Sequence, residues 1–168
     1  MDALIVVMRI LHIVFGVFWV GTVFFMVFIL TPRLRALGPT IQSPVMRVLM
    51  PVMIPYMMVS AIITVLSGVV LTLVLRWGAL GTLFTTGWGW SMIVGFVTSL
   101  VAAFIGFGIV IPLGRRQAAL ASSIEGRPPG PEEAQQLGQL GARIGSLTLT
   151  NFVLLIIATV TMAIARYV

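Results

Sequence analysis

The sequence contains no cysteine and no lysine, one histidine and only four carboxylates in 168 residues. Without cysteine there is no disulfide, no thiolate metal site and no cysteine nucleophile. The carboxylates are Asp2, Glu125, Glu132 and Glu133, and none lies within an apolar run. That placement leaves no acid pair for general acid–base chemistry and no carboxylate metal site inside those runs. It also removes the embedded acid expected of a proton-coupled transporter. Charged residues make up 8% of the chain, against about 25% in an ordinary soluble domain.

Apolar residues are abundant instead, at 60% of the chain with a mean hydropathy of +1.16. A chain this short cannot hide so much apolar surface in one water-solvated core, so lipid is the expected solvent. Four apolar runs stand out, at 4–30, 50–75, 88–113 and 144–165. Each exceeds the roughly 20 residues needed to cross the hydrocarbon core. Helices are the expected form, because each backbone polar group must find its partner within the segment. The predicted fold is all-α: one transmembrane domain over 1–168, a four-helix bundle in which 114–143 is a loop. The first run starts beside Asp2, lacks a basic flank and is too long for a signal-peptide core, so it is expected to remain as a helix.

All ten basic residues are arginines, and the net charge is +6. They sit at the ends of apolar runs rather than on one soluble face, which argues against nucleic acid as a partner. Arg33, Arg35, Arg47, Arg115, Arg116, Arg127 and Arg143 fall in the first and third connections; Arg9, Arg76 and Arg166 fall on the other side. Seven against three predicts a cytoplasmic location for those connections and an outer location for both termini. The expected setting is the inner (plasma) membrane of a bacterium, as a multi-pass protein. Within the third connection, Leu113 to Ile124 suits a short interfacial helix, and Arg127-Pro128-Pro129-Gly130-Pro131 breaks it. Pro131 followed by Glu132 and Glu133 then marks a helix start, with acids at the positive end of the dipole.

An internal echo runs at an offset of 80. Phe28-Ile29-Leu30-Thr31-Pro32-Arg33-Leu34-Arg35 aligns with Gly108-Ile109-Val110-Ile111-Pro112-Leu113-Gly114-Arg115. Two hairpins of common origin would produce it, and so would convergence on a good helix exit.

Ionisable groups inside lipid are costly and are functional candidates by default. Arg9 and His12 are the two within the apolar runs, three residues apart on one helix face. Steps of three and four extend that face through Ile5, Arg9, His12, Gly16, Trp19, Val23, Met26 and Leu30. Such a stripe should face the bundle interior. Imidazole is a standard axial ligand of haem iron. Gly16, one turn away, would clear room for a flat porphyrin, Arg9 would reach its propionates, and Trp19 with Phe15, Phe18, Phe24 and Phe25 would wall it. The competing structural reading is that His12 hydrogen-bonds a neighbouring helix, Arg9 snorkels outward and Gly16 permits close packing.

Leu11-His12-Ile13, Trp19, Gly21 and Phe24-Phe25 together resemble the first helix of the CopD-like and HemJ-like small membrane proteins. Arg47 ahead of a helix reaching Ser67-Gly68, and the closing Met162-Ala163-Ile164-Ala165-Arg166-Tyr167, are similar to that group as well. The resemblance implies haem b bound at His12 in HemJ-like members, or copper handling in CopD-like ones. This chain departs from HemJ-like proteins in having no lysine and in carrying Pro32-Arg33 thirteen residues past Trp19. The resemblance therefore implies haem binding rather than protoporphyrinogen oxidation.

Copper has a signal of its own. Met46, Met50, Met53 and Met57 step by four, three and four into the second run, continued by Ser60, Thr64 and Ser67. Thioethers suit Cu(I), although Met is also ordinary flexible packing. His12 and Met50 or Met53 sit at depths differing by very roughly 15–20 Å, too far for one coordination sphere. At the His12 depth the offset of 80 places Met92, with Met162 near it. Either is a candidate sixth ligand, and a homodimer would supply a second His12. The expected function is thus haem b binding with a redox or electron-transfer role toward a quinone or partner protein. Cu(I) transport or resistance through Met50, Met53 and Met57 is the alternative, and a nonenzymatic accessory or assembly protein is the third.

Overall fold

The computed structural model describes residues 2–124 and 126–168. These residues are helical almost throughout and contain no strand. Helix α1 covers 2–36, α2 covers Pro39–Arg76, α3 covers 87–123 and α4 covers Pro131–Ile164. All four are long and apolar enough to cross a bilayer. At most 17% of the most apolar window of any of them is buried inside the bundle. Most of their apolar surface therefore faces outward, as a multi-pass membrane protein requires.

The helices outrun their apolar runs. At 1.5 Å per residue the 38 residues of α2 extend about 57 Å, against about 30 Å of hydrocarbon. The helix starts at Pro39 because Gly38, at φ +82°, turns the chain in a way only glycine tolerates freely. The segment 114–143, expected as the loop between spans, is helical on both sides of a short connector: the helix expected over Leu113 to Ile124 is the continuation of α3 to Ser123, and α4 starts at Pro131 as expected. Polar helix costs nothing outside the bilayer, and Pro131 and Glu133 supply a strong start. The Glu133 carboxylate accepts the Gly130 N–H at 2.8 Å and both Arg127 guanidinium nitrogens, at 2.6 and 2.8 Å.

The echo at offset 80 has a structural counterpart. Both α1 and α3 widen into one π-helical stretch, Phe25–Leu30 and Phe104–Val110. The Thr31 N–H donates to the Met26 carbonyl, and the Ile111 N–H to the Gly106 carbonyl, again 80 residues apart. Pro32 and Pro112 explain it. A proline has no N–H for the carbonyl four residues earlier and its ring collides with that carbonyl, so the preceding turn opens.

Packing follows two antiparallel hairpins, α1 on α2 and α3 on α4, joined mainly through α1 and α4. The centre is shared by all four helices: Trp19 and Val23, Ala61, Ala102, and Leu155. Alanines at two of these positions let helix backbones approach closely, which is how helices associate in lipid. At the end carrying both termini, the α2–α3 connector is a 3₁₀ segment, Trp77–Phe84, broken at Ala79. Thr86 caps α3 by accepting the Gly89 N–H at 3.1 Å.

Candidate functional site

His12 sits on α1 against a polar strip of α2. Its Nδ1 lies 2.8 Å from the Thr64 carbonyl oxygen. A carbonyl only accepts, so Nδ1 is the donor, and the neutral ring carries its lone pair on Nε2. Gly68 makes room for the ring: a Cβ there would lie 2.9 Å from Cε1 and 3.0 Å from Nδ1 of His12. The strip around it is tied to its own helix. Thr64 Oγ1 donates to the Ser60 carbonyl at 2.7 Å, and Ser67 Oγ donates to the Ile63 and Thr64 carbonyls. Ser60, Thr64 and Ser67 extend the methionine stripe in sequence, and of the three Thr64 contacts α1, at His12 and Gly16.

The stripe of Arg9, His12, Gly16 and Trp19 turns its middle inward as expected, but the slot for a flat group is filled. The Thr64 methyl is 3.5 Å from where a Gly16 Cβ would stand, so this glycine serves helix contact rather than an open porphyrin edge. Trp19 is 2% exposed in the central cluster with Val23, Ala61, Ala102 and Leu155. Arg9 is exposed and has no hydrogen bond or ion pair among the described residues. The reason is steric: Gly16 and Gly68 bring α1 and α2 together over the length that a cofactor would need. Of the two ring nitrogens, Nδ1 is engaged with the Thr64 carbonyl, which leaves Nε2 as the one with a lone pair for a ligand.

Met92 is not brought to His12. Helices α1 and α3 lie across the diagonal of the bundle and share no extended contact. Met92 instead meets Met162 of α4 in a cavity of about 420 Å³ at the termini end, with Arg76, Trp88, Ala165, Arg166 and Val168. Of the copper candidates, Met57 packs on the central cluster, Met50 is half-buried, and Met53 borders a cavity of about 230 Å³ with Phe18, Gly21, Phe25 and Tyr56. Among the described residues no group of three His, Cys, Asp or Glu side chains is placed to hold a metal ion.

One polar residue escaped the sequence reading. Asn151, the sole asparagine of the chain, is 4% exposed on α4, and its Oδ1 has no hydrogen-bond partner among the described residues; nor has the buried Ser60 Oγ. Asn151 Nδ2 faces the π-helical turn of α3, 2.8 Å from where a Gly106 Cβ would be. An amide inside the fourth apolar run was the available signal. At the opposite end of the bundle, the Arg35 guanidinium donates to the Gly141 carbonyl at 3.1 Å and rests on Gly145. No protein-family model, no curated protein and no solved structure matches this chain.

Proposed function

We propose that this protein is a bacterial inner-membrane haem b protein in which His12 Nε2 is an axial ligand. The supporting observation is the Nδ1–H bond to the Thr64 carbonyl. A ligating histidine characteristically donates its other nitrogen to such an acceptor, which sets the tautomer, orients the ring and raises ligand basicity. Bound iron would supply one-electron chemistry toward a quinone or a redox partner. Thr64 and Gly68 hold the ring, and Arg9, exposed one turn away with no ion-pair partner among the described residues, is available to a propionate. Because α2 occupies the inner face of His12, a second axial ligand would come from outside this chain's own bundle, and a second copy's His12 suits that role. The arginine count orients the termini outward and the 33–47 and 115–143 arginines toward the cytoplasm.

The test is an absorption spectrum of detergent-purified protein, oxidised and dithionite-reduced, beside His12→Ala. A Soret band with sharp reduced bands that the variant lacks supports the proposal. A colourless protein from cells supplied with haem refutes it. The Cu(I) reading through Met50, Met53 and Met57 is the alternative, and two further thioethers, Met92 and Met162, line one cavity. Copper content of the same sample, with Met50, Met53 and Met57 replaced together and with Met92 and Met162 replaced together, decides it. A colourless, copper-free protein would favour the accessory role.

A further inference from the structure

Three arginines lie on the arginine-poor side of the sequence, and the fold brings two of them, Arg76 and Arg166, into the walls of one cavity. The two come from different helices: Arg76 ends α2, and Arg166 lies in the 3₁₀ turn that follows α4. No acidic side chain among the described residues lines the cavity; the main-chain carboxylate of Val168 borders it without an ion pair to either arginine, and neither arginine makes an ion pair or a hydrogen bond among the described residues. The Arg76 guanidinium is held in place by an aromatic surface instead, with its carbon 4.5 Å from the Trp88 ring centroid. A ring can take one face of the guanidinium and leave its N–H edge for an oxyanion. Two like charges on the walls of one cavity repel, and an anion between them offsets part of that cost.

We propose that this cavity binds a phosphate-type oxyanion carried on a molecule with an apolar body. The anion follows from the two unpaired guanidiniums, which match phosphate geometry with paired N–H donors. The apolar body follows from the rest of the wall. Trp88, Met92, Met162 and Ala165 offer ring, thioether and methyl surface. The volume of about 420 Å³ lies within the roughly 300–1,000 Å³ of small-molecule sites, more than a bare oxyanion fills. Trp and Met also adapt to ligands that are half wet and half greasy. The site is independent of His12 and of any haem.

The experiment is native mass spectrometry of the full-length protein in neutral detergent. It is titrated with dihexanoyl phosphatidic acid, with phosphatidylcholine of the same chain length, and with inorganic phosphate as competitor. Expected is saturable uptake of one phosphatidic acid, weakened about tenfold or more in both Arg76→Gln and Arg166→Gln. Arg115→Gln, which removes the same charge from the other end, binds as wild type. Displacement by inorganic phosphate identifies the oxyanion alone as the recognised group, as for a free phosphate ester. Phosphatidic acid that resists displacement identifies a lipid headgroup. Equal uptake of phosphatidylcholine, or wild-type uptake by both site variants, overturns the proposal. Far-UV circular dichroism accompanies each variant, and Arg166, in an exposed terminal turn, carries the test if Arg76→Gln does not fold.

Discussion

The contact between His12 and Gly68 makes a quantitative prediction. Replacing Gly68 by Ala puts a methyl 2.9 Å from His12 Cε1 and 3.0 Å from Nδ1, so the imidazole must leave its seat. Overpacking of this kind costs about 1–3 kcal/mol. The displaced ring also loses its bond to the Thr64 carbonyl, worth about 0.6 to 2 kcal/mol between membrane helices. Ala is the better helix former by up to about 1 kcal/mol, which opposes both terms. The net expectation is destabilisation of about 1–3 kcal/mol. Gly21→Ala isolates the propensity term, since nothing lies within 4 Å of a Cβ there. Reversible unfolding in mixed dodecylmaltoside–SDS micelles, followed by circular dichroism, measures each variant. The decisive arm is the double variant. With His12 already alanine, the methyl at 68 meets no ring, so most of the Gly68→Ala penalty disappears and the two changes couple by about 1–3 kcal/mol. Additive penalties, or a Gly68→Ala protein within about 0.5 kcal/mol of wild type, would show that the imidazole is not wedged over Gly68. In the haem protein proposed above, the same substitution lowers haem retention without touching a ligand atom.

Two further expectations concern polar groups that the two readings of His12 do not involve. Asn151→Ala removes a buried amide whose Oδ1 has no partner, so the relief of that unmet group offsets the lost volume. Its stability should change by no more than about 1 kcal/mol, whereas Leu155→Ala, in the central cluster, should cost about 2–5 kcal/mol in the same micelle assay. A large loss for Asn151→Ala would mean that its oxygen is satisfied. Outside the bilayer, the hydrogen bond from Arg127, then that from the Gly130 N–H, pull the Glu133 carboxyl down from 4.5 to about 2. Because the folded value is depressed, the stabilisation of the α4 start is complete above about pH 4.5 and is lost as pH falls through 2. The Glu133 carboxyl carbon resonance should therefore titrate near pH 2, and a midpoint near its ordinary value would show that the Arg127 pair does not form.

How far the sequence reached differs by kind of feature. The four spans came from apolar run length alone, because lipid leaves the backbone no other way to satisfy its polar groups. Helix ends did not come from that signal. Apolar runs mark hydrocarbon, and a helix continues into water wherever capping and proline placement allow, as at Pro39, Ser123 and Pro131. The Pro131 start and the helix over 113–124 were visible because their signals are local.

The inward turn of His12, Gly16 and Trp19 was likewise readable from helical periodicity, while Arg9, expected on the same inward stripe, is exposed, and the occupant of the stripe was not readable. A glycine one turn from a histidine means either space for a ligand or contact with a helix, and periodicity on one helix cannot choose between them. Thr64 and Gly68, 52 and 56 residues further on, make it a helix contact. The same limit applies to Met92, whose depth follows from the offset of 80 but whose neighbours depend on which helices share an edge. Depth and inward face are properties of one helix and belong to the sequence. The partner across the gap, the diagonal that separates His12 from Met92, and the cavity joining Arg76 to Arg166 arise only when four helices pack together, because each depends on two segments at once.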